Sequence, residues 1–342
     1  MNVRQNVSLK DLTSFHIGGP AKYFVEVATK DELLQAAKFA KDQNIKIFVL
    51  GEGSNVLISD SGFDGLVIKL NNKNVVFEPQ GDSTLVVAEA GLNWGQFVTQ
   101  AIQKGLQGIE CLSGIPGSVG AAPVQNIGAF GQEIKNTIVE VEVFDISKNI
   151  FTKLTADQCE FGYRDSLFKK SDMEGRYIVW AITLLLKNTA TPIVSYESLG
   201  KYLIQHDISN PNIVQIRDAV LDLRAQNHLD PKTSGNAGSF FKNPIVTQEE
   251  FKQLQTKFPS IAHYPSEDGT VKIFAAWLIE AAGWKGQTHK NASVSPKHAL
   301  ILINTQNTAT AADVSELAQK ISVSVEEKFG IKLIREVKYV NV

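Results

Sequence analysis

The sequence predicts an α+β protein of three units, and three observations carry that expectation. The chain has 342 residues, more than one hydrophobic core normally organises. Short apolar strand patterns alternate with amphipathic helical ones, without a repeat of fixed period. Two glycine-rich stretches, LGEGSN (50–55) and SGIPGSVGAAPVQNIGAFG (113–131), punctuate successive units. Each reads as an ordinary turn or as a phosphate cradle, because glycine lets backbone N–H groups approach a ligand and admits positive φ, and two such loops in successive units strengthen the second reading. Neither is the G-x-G-x-x-G of a dinucleotide fold or a P-loop.

Composition narrows the function. Hydrophobic residues make up 43% and charged residues 20%, an ordinary globular balance. The formal net charge is −2, from 34 Lys+Arg against 36 Asp+Glu. That excludes the clustered basic field of a bulk nucleic-acid binder, though not a local cationic pocket. The two cysteines, Cys111 and Cys159, form no C-x-x-C pair and read as buried thiols in a reducing cytoplasm. The N-terminus lacks the apolar run of a signal peptide. The apolar stretch 178–186 is too short to span a bilayer and reads as a buried strand. A soluble cytoplasmic protein, with no membrane or nucleic-acid partner, is the expectation.

The elements follow in order. Residues 21–27 (AKYFVEV) form a β-rich run. Thr29 and Glu32 then make a capping-box pattern, and Leu33, Ala36, Ala37 and Ala40 give a helical stripe. Residues 45–50 and 65–70 read as strands. The second unit opens with strand 83–91, followed by a helix over 93–105 that ends at glycine. Strands 138–145 and 177–187 and helices 196–206 and 213–226 complete it. The third unit starts near Asp230-Pro231. It holds strand-like 238–246, a helix over 274–283 and strand 298–304. A second capping box at 310–313, a helix closed by Gly330 and a final strand 331–340 follow.

Three further places suit chemistry. FGYRDSLFK (161–169) concentrates Tyr163, Arg164 and Asp165. The arginine fork either grips a planar carboxylate or pairs with Asp165 on the surface. Glu336 is an acid in a mostly apolar strand pattern, and period 2 puts it on one face with Ile334 and Lys338. It reads as part of a solvated face or as a partly buried acid or orienter. Ser239 lies between Gly238 and Phe240, without a G-x-S-x-G elbow, and the nearest base, His228, is eleven positions away. A nucleophilic role is therefore weak, whereas its hydroxyl can donate a proton to a developing carbanion.

LTSFHIGGPA (12–21), LGEGSNVLISD (50–60), SGIPGSVGAAPVQNIGAFGQEI (113–134), CEFGYRDSLFK (159–169) and GNAGSFFKNP (235–244) occur in this order. With them the chain resembles the UDP-N-acetylenolpyruvoylglucosamine reductase family from about Leu12 to Tyr339. PIVSYESL (192–199) is similar to the tyrosine-bearing loop of its longer, type I subgroup. The resemblance implies two α/β FAD-binding domains of the vanillyl-alcohol-oxidase type and a third, substrate-binding α+β domain. The implied limits are 1–70 for the first half of the FAD-binding module, 71–229 with 330–342 for the second, and 230–329 for the substrate domain.

It further implies non-covalent FAD and no metal. The cofactor residues would be Gly51, Glu52, Gly53, Ser54 and Asn55, with Ser113, Gly114, Ile115, Pro116, Gly117, Gly120 and Ala121. The implied reaction is reduction of flavin by NADPH, then hydride transfer from flavin N5 to C3 of UDP-N-acetylglucosamine enolpyruvate and protonation at C2. The product is UDP-N-acetylmuramate, a peptidoglycan precursor. Ser239 is the implied proton donor, and Arg164 and Glu336 polarise the substrate carboxylate and stabilise its developing charge. Tyr196 and Asn243 are implied diphosphate contacts. The family reads Lys-Leu-Pro-Asp-Pro ahead of the serine motif, whereas this chain has NHLDP at 227–231. Asn227 thus stands where a cation is usual, and Lys232 and His228 are the first candidates to supply the charge. A monomer is expected. Two rival readings are an oxidase of the same fold, tethering its flavin through His16 or Cys111, and an inactive sugar-nucleotide binder. No tethering motif supports the first, and retention of Ser239, Arg164 and Glu336 argues against the second.

Overall fold

A computed structural model describes residues 1–188, 192, 194, 196–227, 230–265 and 269–342, apart from the side chains of Asn227 and Pro265. The chain forms two compact units. One comprises Met1–Val7, Ala21–Glu52 and Asp64–Gln226, and the other Ser8–Pro20, Gly53–Phe63 and Asn227–Val342.

The first unit has a four-stranded sheet in the order Arg4–Ser8, Pro20–Val27, Phe63–Leu70, Lys46–Leu50. Its last pair is parallel, with Lys46 opposite Gly65. Helix Lys30–Asp42 begins at the expected capping box: Thr29 Oγ1 accepts from Glu32 N at 3.2 Å, and the Glu32 carboxylate accepts from Thr29 N at 3.2 Å. Two otherwise orphaned N–H groups are satisfied, so the helix starts there. Its stripe of Leu33, Ala36, Ala37 and Ala40 is buried against Val25, Val27, Leu66 and Ile68. Burying Leu33 alone stabilises by about 1.5–3 kcal/mol.

The same apolar cluster includes Phe144, Ile178 and Trp180 from a second sheet, so the two halves of this unit share a core. That sheet is antiparallel, in the order Ile150–Thr155, Ile138–Asp145, Tyr177–Lys187, Ser83–Glu89, Val75–Gln80. Its central strand, Tyr177–Lys187, is buried continuously from Ile178 to Leu184. One side meets the shared core and the other meets helix Trp94–Gln103, which buries Trp94, Phe97, Val98, Ala101 and Ile102. Both faces being covered explains why the run reads as uniformly apolar.

In the second unit, Gly235–Ser239, Ile301–Asn304, Ala292–Val294 and Thr288–His289 form one antiparallel sheet. Ile245–Val246, Val271–Ile273 and His263–Pro265 form another. Helix Ala311–Phe329 packs Val314, Leu317, Ile321 and Val325 into the core and ends at Gly330, whose φ of 70° suits a glycine C-cap. Asp60 accepts from Ala311 N at 2.9 Å and places a carboxylate at the helix N-terminus, where the dipole favours it.

On sequence, residues 330–342 group with the second half of the FAD-binding module. Here Lys338–Val340 pairs in parallel with Val56–Ile58, and Lys242 N donates to Ile334 O at 2.8 Å, all within the second unit. The expected strand 331–340 is regular only over its last three residues. Elements missing from the sequence reading include helix Gln248–Lys257 and strands Arg4–Ser8, Val75–Gln80 and Ile150–Thr155. These strands present mostly exposed or half-exposed side chains and carry little periodic signal. No described helix is long and apolar enough to cross a membrane.

Candidate active site

In the first unit the longer glycine-rich loop turns through Gly114 (φ 70°) and Gly117 (φ 144°), conformations that L side chains resist. Gly117 O accepts from Trp94 N at 2.9 Å, Val119 N donates to Leu92 O at 2.8 Å, and Gly120 N donates to Ala90 O at 2.9 Å. A Cβ on Gly120 would lie 2.5 Å from Ala90 Cβ, and one on Gly51 would lie 2.8 Å from Ser118 Oγ. Both expected cofactor stretches therefore reach the same small region of this unit, and both do so on glycine. Glu110, almost fully buried, braces the loop: its carboxylate accepts from Gly108 N at 2.7 Å and from Gln132 Nε2 at 2.8 Å.

Arg164 belongs to the same unit. It occupies a turn in which Gly162 and Asp165 bridge, with φ 52°. Its guanidinium donates to Asn126 O at 3.4 Å and to Gly128 O at 2.5 Å. Docking on these carbonyls fixes the orientation of the fork. Asn126 holds both sides of this arrangement. It is fully buried, and its Nδ2 donates to Glu133 Oε2 at 3.0 Å and to Gly162 O at 2.9 Å. Its Oδ1 accepts from Lys135 N at 3.1 Å. Tyr196 stands at the entry to helix Glu197–Gln205 and packs edge-on against Phe130, ring centres 5.5 Å apart.

In the second unit Ser239 ends the strand Gly235–Ser239. The register slips between Asn236 and Ser239, and Gly238 in the bulge has φ 68°. A bulge re-aims the following side chain, so Ser239 leaves the regular alternation. Among the described residues no imidazole or carboxylate hydrogen-bonds its Oγ, so none of them serves as the base of an activated nucleophile. The next residues pair with the C-terminal segment: Glu336 N donates to Phe240 O at 2.9 Å, and Phe241 bridges Arg335. Ser239 and Glu336 are thus carried on adjacent backbones. Asn55 joins them, its Nδ2 donating to Glu336 O at 3.5 Å and its carbonyl accepting from Lys338 N at 3.1 Å. Ser14 links the short glycine loop to the serine strand, since its N donates to Gly53 O at 3.1 Å and its Oγ to Asn236 O at 2.6 Å.

The cofactor expectation can be tested on these contacts. A loop that turns on Gly114 and Gly117, with a buried Arg224 Nε that lacks a hydrogen-bond partner beside it, suits the anionic phosphates of a nucleotide. The residues present fit FAD.

Comparison with known proteins agrees. Residues 21–150 match the FAD binding domain family, and residues 230–340 match the C-terminal domain of UDP-N-acetylenolpyruvoylglucosamine reductase. The reductase of that name from Xylella fastidiosa is 37% identical over 98% of this chain and 95% of its own length. That from Thermobifida fusca is 38% identical, covering 97% and 96% respectively. The chain belongs to the UDP-N-acetylenolpyruvoylglucosamine reductase family. It is an FAD-dependent oxidoreductase. The crystal structure of the Thermus caldophilus reductase matches 99% of both chains with TM-score 0.70 at 27% identity. A 6-hydroxy-D-nicotine oxidase from Arthrobacter nicotinovorans, 14% identical with TM-score 0.51 over 97% of this chain and 86% of its own, shares the fold. The α+β class and the flavoprotein architecture stand as expected.

Within this family member the expected residues fall into two sets. Arg164, Tyr196, Gly51, Glu52 and the 113–121 loop lie in the first unit, and Ser239, Glu336, Asn243 and Gly53–Asn55 in the second. Asn243 has a structural task, because its Oδ1 accepts from Ala275 N at 2.9 Å at the start of helix Ala275–Ala281. Its amide NH2 is the part left to meet a ligand. Asn227 closes helix Ile213–Asn227, and its side chain and His228 lie outside the described residues. Lys232 is exposed, its backbone N donating to Asp230 Oδ1 at 3.0 Å. Asn126, Gly128, Ser14 and Arg224 escaped the sequence reading. Three lie inside or beside quoted motifs, but only contacts made in three dimensions give them roles.

Proposed function

We propose that this oxidoreductase reduces the enolpyruvyl ether of UDP-N-acetylglucosamine enolpyruvate to the lactyl ether of UDP-N-acetylmuramate, with NADPH as reductant, in peptidoglycan precursor synthesis. The observation that carries this reading is the pairing of the Ser239 strand with the Glu336 segment in the second unit. Bound FAD supplies hydride chemistry, charged by NADPH. Hydride gained at C3 of the enol ether leaves negative charge at C2, delocalised into the adjacent carboxylate. Arg164, oriented by two carbonyls, meets that carboxylate and grows more favourable as charge accumulates. Ser239 donates its hydroxyl proton to C2, and Glu336 orients the carboxylate end. Tyr196, the Asn243 amide and Asn227 contact the diphosphate. The protein works in the cytoplasm as a monomer.

The test is anaerobic. NADPH should bleach the flavin absorbance of the purified protein, and the enolpyruvyl sugar nucleotide should then restore it with one equivalent of product. Restoration by O2 alone, with no response to the sugar nucleotide, would overturn the reading in favour of an oxidase.

A further inference from the structure

Asn126 O and Gly128 O, which orient the Arg164 guanidinium, belong to one small hairpin of the first unit. Its strands are Gly128–Ala129 and Gln132–Glu133, joined by a two-residue turn at Phe130 (φ 48°) and Gly131 (φ 86°). Positive φ at both turn positions is the tight geometry that matches the twist of the strands. Two residues per strand are too few to hold a hairpin in place, so its position depends on what anchors it. A Cβ on Gly128 would lie 2.8 Å from Arg164 Nη1 and 2.9 Å from Gln132 O, so the guanidinium lies directly against this hairpin.

Gln132 supplies an anchor. Its Nε2 donates to Glu110 Oε1 at 2.8 Å, and its Oε1 accepts from Cys111 N at 2.9 Å. Glu110 is almost fully buried, and its other carboxyl oxygen accepts from Gly108 N at 2.7 Å. One amide side chain thus meets an acceptor and a donor on consecutive residues of the segment Glu110–Leu112. Its chain neighbour Glu133 accepts from Asn126 Nδ2 at 3.0 Å, which ties Asn126 to the same strand. The glycine-rich loop is held by other bonds. Val119 N donates to Leu92 O, Gly120 N to Ala90 O, and Ser113 Oγ to the backbone carbonyl of Glu110 at 2.6 Å. A change confined to the Gln132 amide therefore shifts the hairpin and leaves the bonds of the loop in place.

We propose that Gln132 is a positioning residue for the sugar-nucleotide half-reaction, anchoring the hairpin whose carbonyls aim Arg164. This rests on the reading that Arg164 meets the substrate carboxylate. Reduction of the flavin by NADPH involves no such carboxylate, so a misplaced fork slows only the second half-reaction. A displacement of about 1 Å at a positioned group costs up to about 100-fold in rate.

Full-length FAD-loaded protein is compared with Gln132→Glu, Glu110→Gln and the double exchange. Gln132→Glu sets two carboxyls at hydrogen-bond distance. Glu110→Gln sets two amide NH2 groups against each other. The double exchange restores all three bonds: the amide introduced at position 110 donates to the carboxyl introduced at 132, and Cys111 N and Gly108 N keep their acceptors. Anaerobic stopped-flow single turnovers read the two half-reactions separately. Either single exchange should slow flavin reoxidation by the sugar nucleotide about 10–100-fold and alter reduction by NADPH less than about threefold. The double exchange should bring reoxidation back to within about threefold of the unaltered chain. With Arg164→Met already present, Gln132→Glu should slow reoxidation no further, because the group it aims is gone. Should a single exchange fail to fold, Gln132→Met removes both bonds without adding a charge and carries the same expectation. Equal losses in both halves, or normal reoxidation in the single variants, overturn the proposal. So does a double exchange that melts like the unaltered chain yet reoxidises as slowly as the singles, or a full further loss in the Arg164→Met background. Normal reoxidation in Arg164→Met alone takes down the reading of Arg164 itself, whatever Gln132 does.

Discussion

Replacing Asn126 by Asp changes one NH2 into an oxygen and little else. The residue is fully buried with φ 44°, a left-handed conformation that Asn and Asp both tolerate, so backbone strain does not enter. Oδ1 and its bond from Lys135 N at 3.1 Å survive. Two donated bonds do not: that to Gly162 O at 2.9 Å and that to Glu133 Oε2 at 3.0 Å. The first removes one of two bonds to that carbonyl, which still accepts from Asp165 N at 3.3 Å, at about 0.5–1.5 kcal/mol. The second brings two carboxylates to hydrogen-bond distance, relieved only partly by the Lys135–Glu133 ion pair at 3.0 Å. Together the cost is about 3–5 kcal/mol at neutral pH, the scale of a broken buried polar pair. Crowded carboxylates share a proton, so the pair in the variant takes a raised folded pKa. Its stability is then present at low pH and lost as pH rises through that raised value. Urea midpoints at pH 5 and pH 8 should show the variant losing much more against the unaltered chain at the higher pH. Because Asn126 and Gly162 frame the Arg164 turn, reoxidation of reduced flavin by the sugar nucleotide should slow more than its reduction by NADPH. A loss below about 1 kcal/mol at both pH values, given the two bonds removed, would refute this account of how the turn is held.

Other perturbations follow from the same contacts. Ser239→Ala should leave flavin reduction by NADPH near normal and slow the sugar-nucleotide half-reaction by about 10²–10⁴-fold, the usual loss for a general acid; equal losses in both halves would make the serine structural. Burial opposes the Asp145 charge, but hydrogen bonds from Arg176 and Ser147, with Lys148 N, outweigh it and hold the carboxyl at about 2. Its contribution is therefore present above the ordinary Asp range and lost as pH falls toward 2, so Arg176→Met should cost stability at neutral pH and progressively less as pH falls toward 2, and an equal loss at pH 7 and near pH 2 would count against the pair. Burial pushes the Cys111 and Cys159 thiols up to about 12, so a thiol reagent at pH 8 should label neither until denaturant is added; rapid labelling of folded protein would contradict their packing.

The sequence by itself determined the local chemistry. The capping boxes at Thr29 and Thr310 formed as read, because a side chain three residues from its backbone partner needs no distant help. The helical stripe at Leu33–Ala40 and the uniformly apolar strand at 178–184 were visible for the same reason: burial on a fixed face leaves a period in the chain. The motif order alone was specific enough to point to the reductase family. Tertiary structure decided what depends on contacts between distant residues. Glu336 lies beside Phe240 and Lys338 beside Asn55 through backbone hydrogen bonds that any side chains could accompany, and the Asn55 side chain adds a bond to Glu336 O. The strand expected over 331–340 is mostly irregular because its segment pairs by single bridges with residues 240–242. The bulge at Gly238 leaves no period to read, yet it sets where Ser239 points. Asn126 and Arg224 look like ordinary loop and helix residues until burial shows one fully satisfied and the other with an Nε that lacks a hydrogen-bond partner. Hydrogen-bond satisfaction and desolvation are properties of what surrounds a group in space, and linear order does not encode them.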